Sequence, residues 1–299
     1  MDAVHIEQIT KRFDAYEAVS DLTFAIEQGS VYGLLGPNGA GKTTTIRMVM
    51  RILIPDEGAI QVLGNPVSER TQDLIGYLPE ERGIYPKMKV LDALIFLGAL
   101  KGLTESEARK RSGEWLERLE LSDWAGKKVN DLSKGMQQKL QFIAAVQHRP
   151  PVLILDEPFT GLDPVNAALI KDIMLELRDN GSTIILSTHR MEQVEMMCDS
   201  ICLIDHGRKV LDGDLRAIKK SYGKNTVRIE FEGPEDFLNL PSVISGLNRH
   251  GAVVEAKLTP GGDAQEILRA AVARGVTISR FELVEPPLND IFIEKVGHA

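Results

Sequence analysis

Three short stretches of this chain hold residue types at spacings suited to phosphate chemistry. The first is Gly36-Pro37-Asn38-Gly39-Ala40-Gly41-Lys42-Thr43, with Thr44 next. It fits the phosphate-loop pattern G-x-x-x-x-G-K-[ST]. Glycines there let successive backbone N–H groups turn toward phosphate oxygens. A helix beginning at the loop's end adds its positive N-terminus. Lys42 is placed to reach the β- and γ-phosphates, and the Thr43 hydroxyl to ligate Mg²⁺. The plain alternative is an ordinary glycine-rich turn between strand and helix. The second stretch is Val152-Leu153-Ile154-Leu155-Asp156-Glu157. An apolar run ending in two carboxylates sets them at the carboxyl edge of a sheet, where α/β folds bind ligands. Asp156 suits a metal held through its water shell, and Glu157 suits polarising an attacking water. The alternative is two solvated acids at a strand end. The third is Leu132-Ser133-Lys134-Gly135-Met136, just ahead of Gln137-Gln138. Ser133, the Gly135 N–H and a helix N-terminus make a second anion site. Standing alone, Ser133 reads more simply as a helix N-cap.

The elements that must position these residues follow from periodicity and punctuation. Val4 to Ile9, Leu22 to Ile26 and Val31 to Leu35 read as strands, the last running into the glycine loop. Thr43 to Ile52 reads as a helix with apolar residues at helical spacing, stopped by Pro55. Leu91 to Leu103 and Glu105 to Leu121 read as helices parted at Gly102, with Thr104 and Glu107 spaced as a capping box. Met136 to Gln147 and Pro164 to Arg178 read as further helices. Val152 to Leu155 and Thr183 to Ser187 read as strands buried on both faces. Strands alternating with helices predict a mainly parallel α/β core. Residues from about 85 to 140 are strand-poor and read as a helical insertion. Beyond Gly213 the pattern changes. Val227 to Phe231, Val253 to Leu258 and Val276 to Leu283 read as strands, and Asp263 to Arg274 and Leu288 to Val296 as helices. The division expected is 1–221 for the first domain and 222–299 for a small α+β domain.

Composition narrows the class. The chain has 299 residues, enough for more than one core, and a net charge of −8, which disfavours non-specific nucleic-acid binding. Two cysteines, Cys198 and Cys202, cannot make a disulfide framework, so a reducing cytosol is expected. Cys198 and Cys202 lack further thiols nearby for a metal site, and Met191, Met196 and Met197 read as helix packing. No secretory leader is read at the N-terminus. The most apolar helical stretch, Ala93 to Leu100, is far shorter than the roughly 20 residues of a membrane span. A membrane role would therefore need a partner.

The third stretch resembles the ABC ATPase signature, Leu-Ser-Gly-Gly-Gln, with Lys134 and Met136 departing from it. The resemblance covers residues 1 to about 220. It implies a phosphate-loop cassette: a mainly parallel core sheet, N-terminal antiparallel strands and a helical insertion. It also implies ATP with Mg²⁺ and two cassettes sandwiching two nucleotides head to tail. In such a pair Ser133 and Gly135 of one chain would contact the γ-phosphate held by the other. Gly161-Leu162-Asp163-Pro164 would cross the interface, and Thr188-His189 would supply a switch histidine that senses the γ-phosphate. Phe13 would stack on adenine, with Tyr16 as the second choice. One position departs: Tyr77-Leu78-Pro79-Glu80 puts Glu80 where the family usually has a metal-touching Gln. A carboxylate can still ligate metal, at the expense of extra negative charge near phosphate.

A finer resemblance is to ATPase subunits of bacterial multidrug and sodium efflux exporters. It rests on Tyr77-Leu78-Pro79-Glu80-Glu81-Arg82-Gly83, on Ser133-Lys134-Gly135-Met136-Gln137-Gln138, and on the ending Glu285-Pro286-Pro287-Leu288-Asn289-Asp290-Ile291-Phe292. It implies a cytoplasmic subunit peripheral to the inner face of the membrane, acting as a homodimer or heterodimer of cassettes with a separate permease. The competing class is a soluble ABC ATPase acting on ribosomes or DNA. Such proteins typically carry two cassettes in one chain or a long coiled-coil insertion, and neither is read here. A protein using ATP only as a switch would be expected to lack Glu157, which is present.

Overall fold

The computed structural model describes residues 1–81 and 83–296, so Arg82 of the quoted loop lies outside the described residues. The chain divides into two compact units, Met1–Gly213 and the remainder from Asp214. The sequence places the boundary after residue 221, whereas the helix at Leu215–Ser221 clusters with the second unit.

The first unit opens with β1 (Asp2–Phe13) and β2 (Tyr16–Glu27), then β3 (Val31–Leu35), α1 (Lys42–Val49), β4 (Glu57–Val62) and β5 (Asn65–Pro66). Next come α2 (Glu69–Asp73), β6 (Ile75–Leu78), α3 (Val90–Leu100), α4 (Glu105–Arg118) and α5 (Lys134–Val146). It closes with β7 (Val152–Asp156), α6 (Pro164–Asp179), β8 (Thr183–Thr188), α7 (Met191–Met197), β9 (Ser200–Asp205) and β10 (Arg208–Asp214). Two sheets result. The outer one has the order β2-β1-β4-β5 and pairs antiparallel. The inner one has the order β10-β9-β3-β8-β7-β6, and β9 through β6 run parallel. Every residue of β3, β7 and β8 is buried, the reason these strands read as unbroken apolar runs. The sheets share one core that includes Ile6, Leu22, Ile46, Ile154 and Ile185, with the Phe24 and Tyr32 rings stacked 5.6 Å apart. In register, Leu35 pairs with Thr188 and Asp156 with Ser187, so β3, β7 and β8 end together at one edge.

The helical insertion contains α3 and α4 and runs up to α5. Thr104 and Glu107 form the expected capping box on α4. Gln147, fully buried at the end of α5, donates to the Leu94 carbonyl (2.9 Å) and accepts from the Ser112 hydroxyl (2.9 Å). This satisfied amide ties three helices together. No helix of the described residues is long and apolar enough to cross a membrane.

The second unit holds α8 (Leu215–Ser221), β11 (Thr226–Glu232), β12 (Ile244–His250), β13 (Val253–Leu258), α9 (Ala264–Ala273), β14 (Thr277–Val284) and α10 (Leu288–Val296). Its strands pair antiparallel in the order β12-β13-β11-β14. Val227 and Ile229 of β11 pack with Phe237, Val254, Ile267 and Ala271 in a separate core.

Candidate active site

The glycine loop joins the end of β3 to the start of α1. Gly36 has φ 151°, and a Cβ there would fall 2.1 Å from the Ile204 carbonyl oxygen. Gly41 has φ 108°, and its Cβ would fall 2.7 Å from the Ala18 oxygen. Both positions exclude a side chain by geometry and by space. Asn38, Gly39, Ala40, Gly41, Lys42, Thr43 and Thr44 line a cleft of about 350 Å³. Gly36 and Pro37 do not line it. Their carbonyls instead accept from the Lys42 ammonium, at 2.6 and 3.0 Å. Burial holds the Lys42 pKa below the usual lysine value, opposed by the charges of Glu157, Asp156 and Glu80.

The same cleft is lined by Asp156 and Glu157 from the end of β7 and by Glu80 from the loop after β6. Thr43 Oγ1 donates to Asp156 Oδ2 at 3.3 Å. Burial raises the Asp156 pKa above the usual carboxylate range, and the negative charge of Glu80 pushes in the same direction. Phe13 and Tyr16 stand at the cleft, 44% and 58% exposed. Neither is a core residue, so simple packing does not account for them. The Tyr16 hydroxyl donates to the Gly39 carbonyl at 3.5 Å.

Glu157 is nearly buried and has a left-handed backbone, φ 50°. Its Oε2 accepts from the Thr188 hydroxyl (3.2 Å). Its Oε1 accepts from the His189 backbone N–H (3.0 Å) and lies 2.6 Å from His189 Nδ1. A carboxylate only accepts, so Nδ1 carries the proton. The His189 side chain is 54% exposed and does not line the cleft. The two residues read from sequence as water-orienting base and phosphate sensor are thus in direct contact.

Ser133, Gly135 and Asp163 also lie outside the cleft. Ser133 is exposed and caps α5, accepting from the Met136 N–H at 3.3 Å. Asp163 is exposed and caps α6, accepting from the Asn166 N–H at 2.9 Å. The first turn of α5 lies against the loop before α6: a Cβ on Gly135 would meet the Gly161 oxygen at 3.2 Å. One residue that sequence reasoning passed over is Gln138. It is buried on α5 and donates to the Pro158 carbonyl at 3.0 Å. The signal was an amide placed among the apolar residues of an otherwise buried helix face.

A parallel sheet whose carboxyl edge presents a glycine loop, a buried lysine and paired carboxylates defines a phosphate-loop nucleotide-hydrolysing domain. The family model described as ABC transporter matches residues 19–160, and one described as ATP-binding protein DrrA1-3-like, C-terminal domain, matches residues 213–296. An uncharacterized ABC transporter ATP-binding protein of Bacillus subtilis is 47% identical over 292 residues, 98% of each chain. The Nod factor export ATP-binding protein I of Burkholderia lata is 35% identical over 297 residues, 98% of this chain and 97% of that one. A solved ATP-binding subunit of an ABC transporter is 31% identical with TM-score 0.70, covering 74% of this chain and 93% of that one. The chain therefore belongs to the ABC transporter ATP-binding protein family, as a subunit that binds and hydrolyses ATP.

Proposed function

We propose that this subunit powers export through a separate integral-membrane permease, working as a head-to-tail pair of cassettes at the inner face of the membrane on ATP with Mg²⁺. The observation that carries the pairing is the one-sidedness of the cleft. Lys42, Thr43, Asp156 and Glu157 line it, while the exposed start of α5 at Ser133 stays outside. A second cassette offering its own Ser133 and Gly135 would enclose the phosphates from the open side. Export is supported by the similar protein named for Nod factor export, which matches over nearly the whole of both chains.

The chain's own residues suit the reaction. Phe13 or Tyr16, exposed at the cleft, offers a ring to the adenine. Lys42 would exchange the carbonyls of Gly36 and Pro37 for phosphate oxygens. The Thr43 hydroxyl and the Asp156 carboxylate, 3.3 Å apart, are oxygen donors of the kind a hard cation takes, and Glu80 lines the same cleft. When bound, Mg²⁺ supplies charge neutralisation for the transferring phosphoryl group. Glu157 would orient the attacking water, with its carboxylate fixed by Thr188 and His189. Asp163 would act near the interface through the loop it ends, in contact with Gly135.

The test is isolation of the tagged full chain from detergent-solubilised membranes in Mg-ATP. Copurification of a membrane protein with several apolar spans is expected. Recovery with ribosomes or DNA, and no such membrane protein, would overturn the export reading.

A further inference from the structure

The left-handed backbone of Glu157 is unfavourable for a residue with a side chain, and Pro158 restricts it further. Such a conformation persists only where the surroundings hold it. The Glu157 N–H is held by the Ser187 carbonyl at 2.9 Å, and the carboxylate by Thr188 and His189. On the carbonyl side, the Thr160 N–H donates to the Glu157 oxygen at 3.2 Å. The remaining hold is Gln138. It is 3% exposed, and its Nε2 donates to the Pro158 oxygen at 3.0 Å and to the Glu157 oxygen at 3.5 Å. Gln138 lies on α5, whose first turn carries Ser133 and Gly135. One turn further on, Gln141 makes a similar contact, donating to the Glu81 oxygen at 3.1 Å.

We propose that Gln138 is a positioning residue for ATP hydrolysis: by gripping the Glu157 and Pro158 carbonyls it fixes the Glu157 carboxylate relative to the start of α5 in the same chain. The proposal rests on the reading of Glu157 as the group that orients water. Its consequence is directional. Displacement of α5 when phosphate meets its first turn is carried through a buried amide to the backbone of Glu157, without passing through the nucleotide held by that chain. Lys42 and Thr43 lie on α1, so nucleotide affinity is not routed through Gln138.

The experiment uses the full chain and measures kcat, KM, nucleotide affinity and thermal midpoint for Gln138→Met, which keeps length and burial but removes the donor. A fall in kcat of about 10-fold or more is expected, since slight misplacement of a reacting group costs up to about 10²-fold. Nucleotide affinity should stay within about threefold of wild type. Gln147→Met, which removes a buried amide at the opposite end of the same helix that holds Leu94 instead, serves as the structural control: it should lower the midpoint and leave kcat unchanged. In the Glu157→Gln background, Gln138→Met should cause no further loss, because both act through one carboxylate. Wild-type kcat in Gln138→Met, or equal losses of kcat and affinity, overturns the proposal. Full additivity with Glu157→Gln does so too. If Glu157→Gln alone retains wild-type turnover, the reading of Glu157 fails, and that result is separate from the Gln138 measurement. Should Gln138→Met not fold, Gln138→Asn, whose shorter amide cannot reach the carbonyls, is read by the same assay. Failure of both to fold makes Gln138 a folding residue and also overturns the proposal.

Discussion

At the scale of single residues, the unusual feature of the cleft is its negative charge. Glu80, Asp156 and Glu157 line it together, and Lys42 is the cation they surround. Burial raises the Asp156 pKa, and Glu80 adds to that shift. A protonated Asp156 cannot hold a cation, so Mg-ATP-dependent activity should fall on acidification earlier than an ordinary carboxylate would dictate. Glu80→Gln removes one like charge, which lowers the Asp156 pKa toward its usual value. The acid limb of the ATPase pH profile should therefore move to lower pH, with basal activity retained or increased. A shift to higher pH, or abolished hydrolysis, would show that the Glu80 carboxylate has a different task. A pH–rate profile of the two proteins decides it.

At the scale of elements, the start of α5 has two separable roles. As an N-cap, Ser133 satisfies the Met136 N–H, and Ser133→Ala should cost about 1 kcal/mol of stability. As part of the proposed second anion site it must also accept phosphate from a facing cassette. Ser133→Asp separates the two. Aspartate is at least as good an N-cap as serine, so the thermal midpoint should match or exceed wild type. Its charge repels phosphate, so ATP-driven pairing and hydrolysis should fall well below the Ser133→Ala protein. Calorimetry and an ATPase assay read the two roles independently. Equal ATPase in both variants would mean that Ser133 is a cap and nothing more.

At the scale of the whole molecule, two predictions concern the units and their pairing. Every residue that lines the cleft lies in the first unit. A chain of residues 1–214, which keeps β10, should therefore bind ATP as the full chain does, by equilibrium titration with a fluorescent analogue. A folded truncation without binding would show that the second unit supports the site. The pairing is read by light scattering of Glu157→Gln and Lys42→Ala with and without Mg-ATP. Glu157→Gln keeps the groups proposed to hold ATP and loses the charge proposed to orient water, so turnover should fall about 10²-fold or more while an ATP-bound dimer accumulates. Lys42→Ala should bind ATP weakly and remain monomeric. An inactive, ATP-bound but monomeric Glu157→Gln protein would count against the head-to-tail pair, or show that closure needs the permease.

The glycine loop, the two carboxylates at the end of β7 and the alternation of buried strands with helices were determined by local sequence, because each depends on residue type at short spacing. Gly36 and Gly41 had to be glycine for reasons of backbone and space that the motif already implied. The strands β4, β5, β6, β9, β10 and β12 were not read from the sequence, although β9 is a buried apolar run like β7. β4 is mostly exposed and β6 has four residues, so pairing with neighbours distant in sequence, and not their own pattern, makes them strands. The site divides the same way. Sequence placed Lys42, Thr43, Asp156 and Glu157 on one edge, since strand ends in a parallel sheet share an edge. Only the tertiary structure set His189 against Glu157, turned the carbonyls of Gly36 and Pro37 toward Lys42, and brought Gln138 against the loop that follows β7. Those contacts join residues whose neighbours are chosen by packing, and packing is not written in the spacing of any one segment.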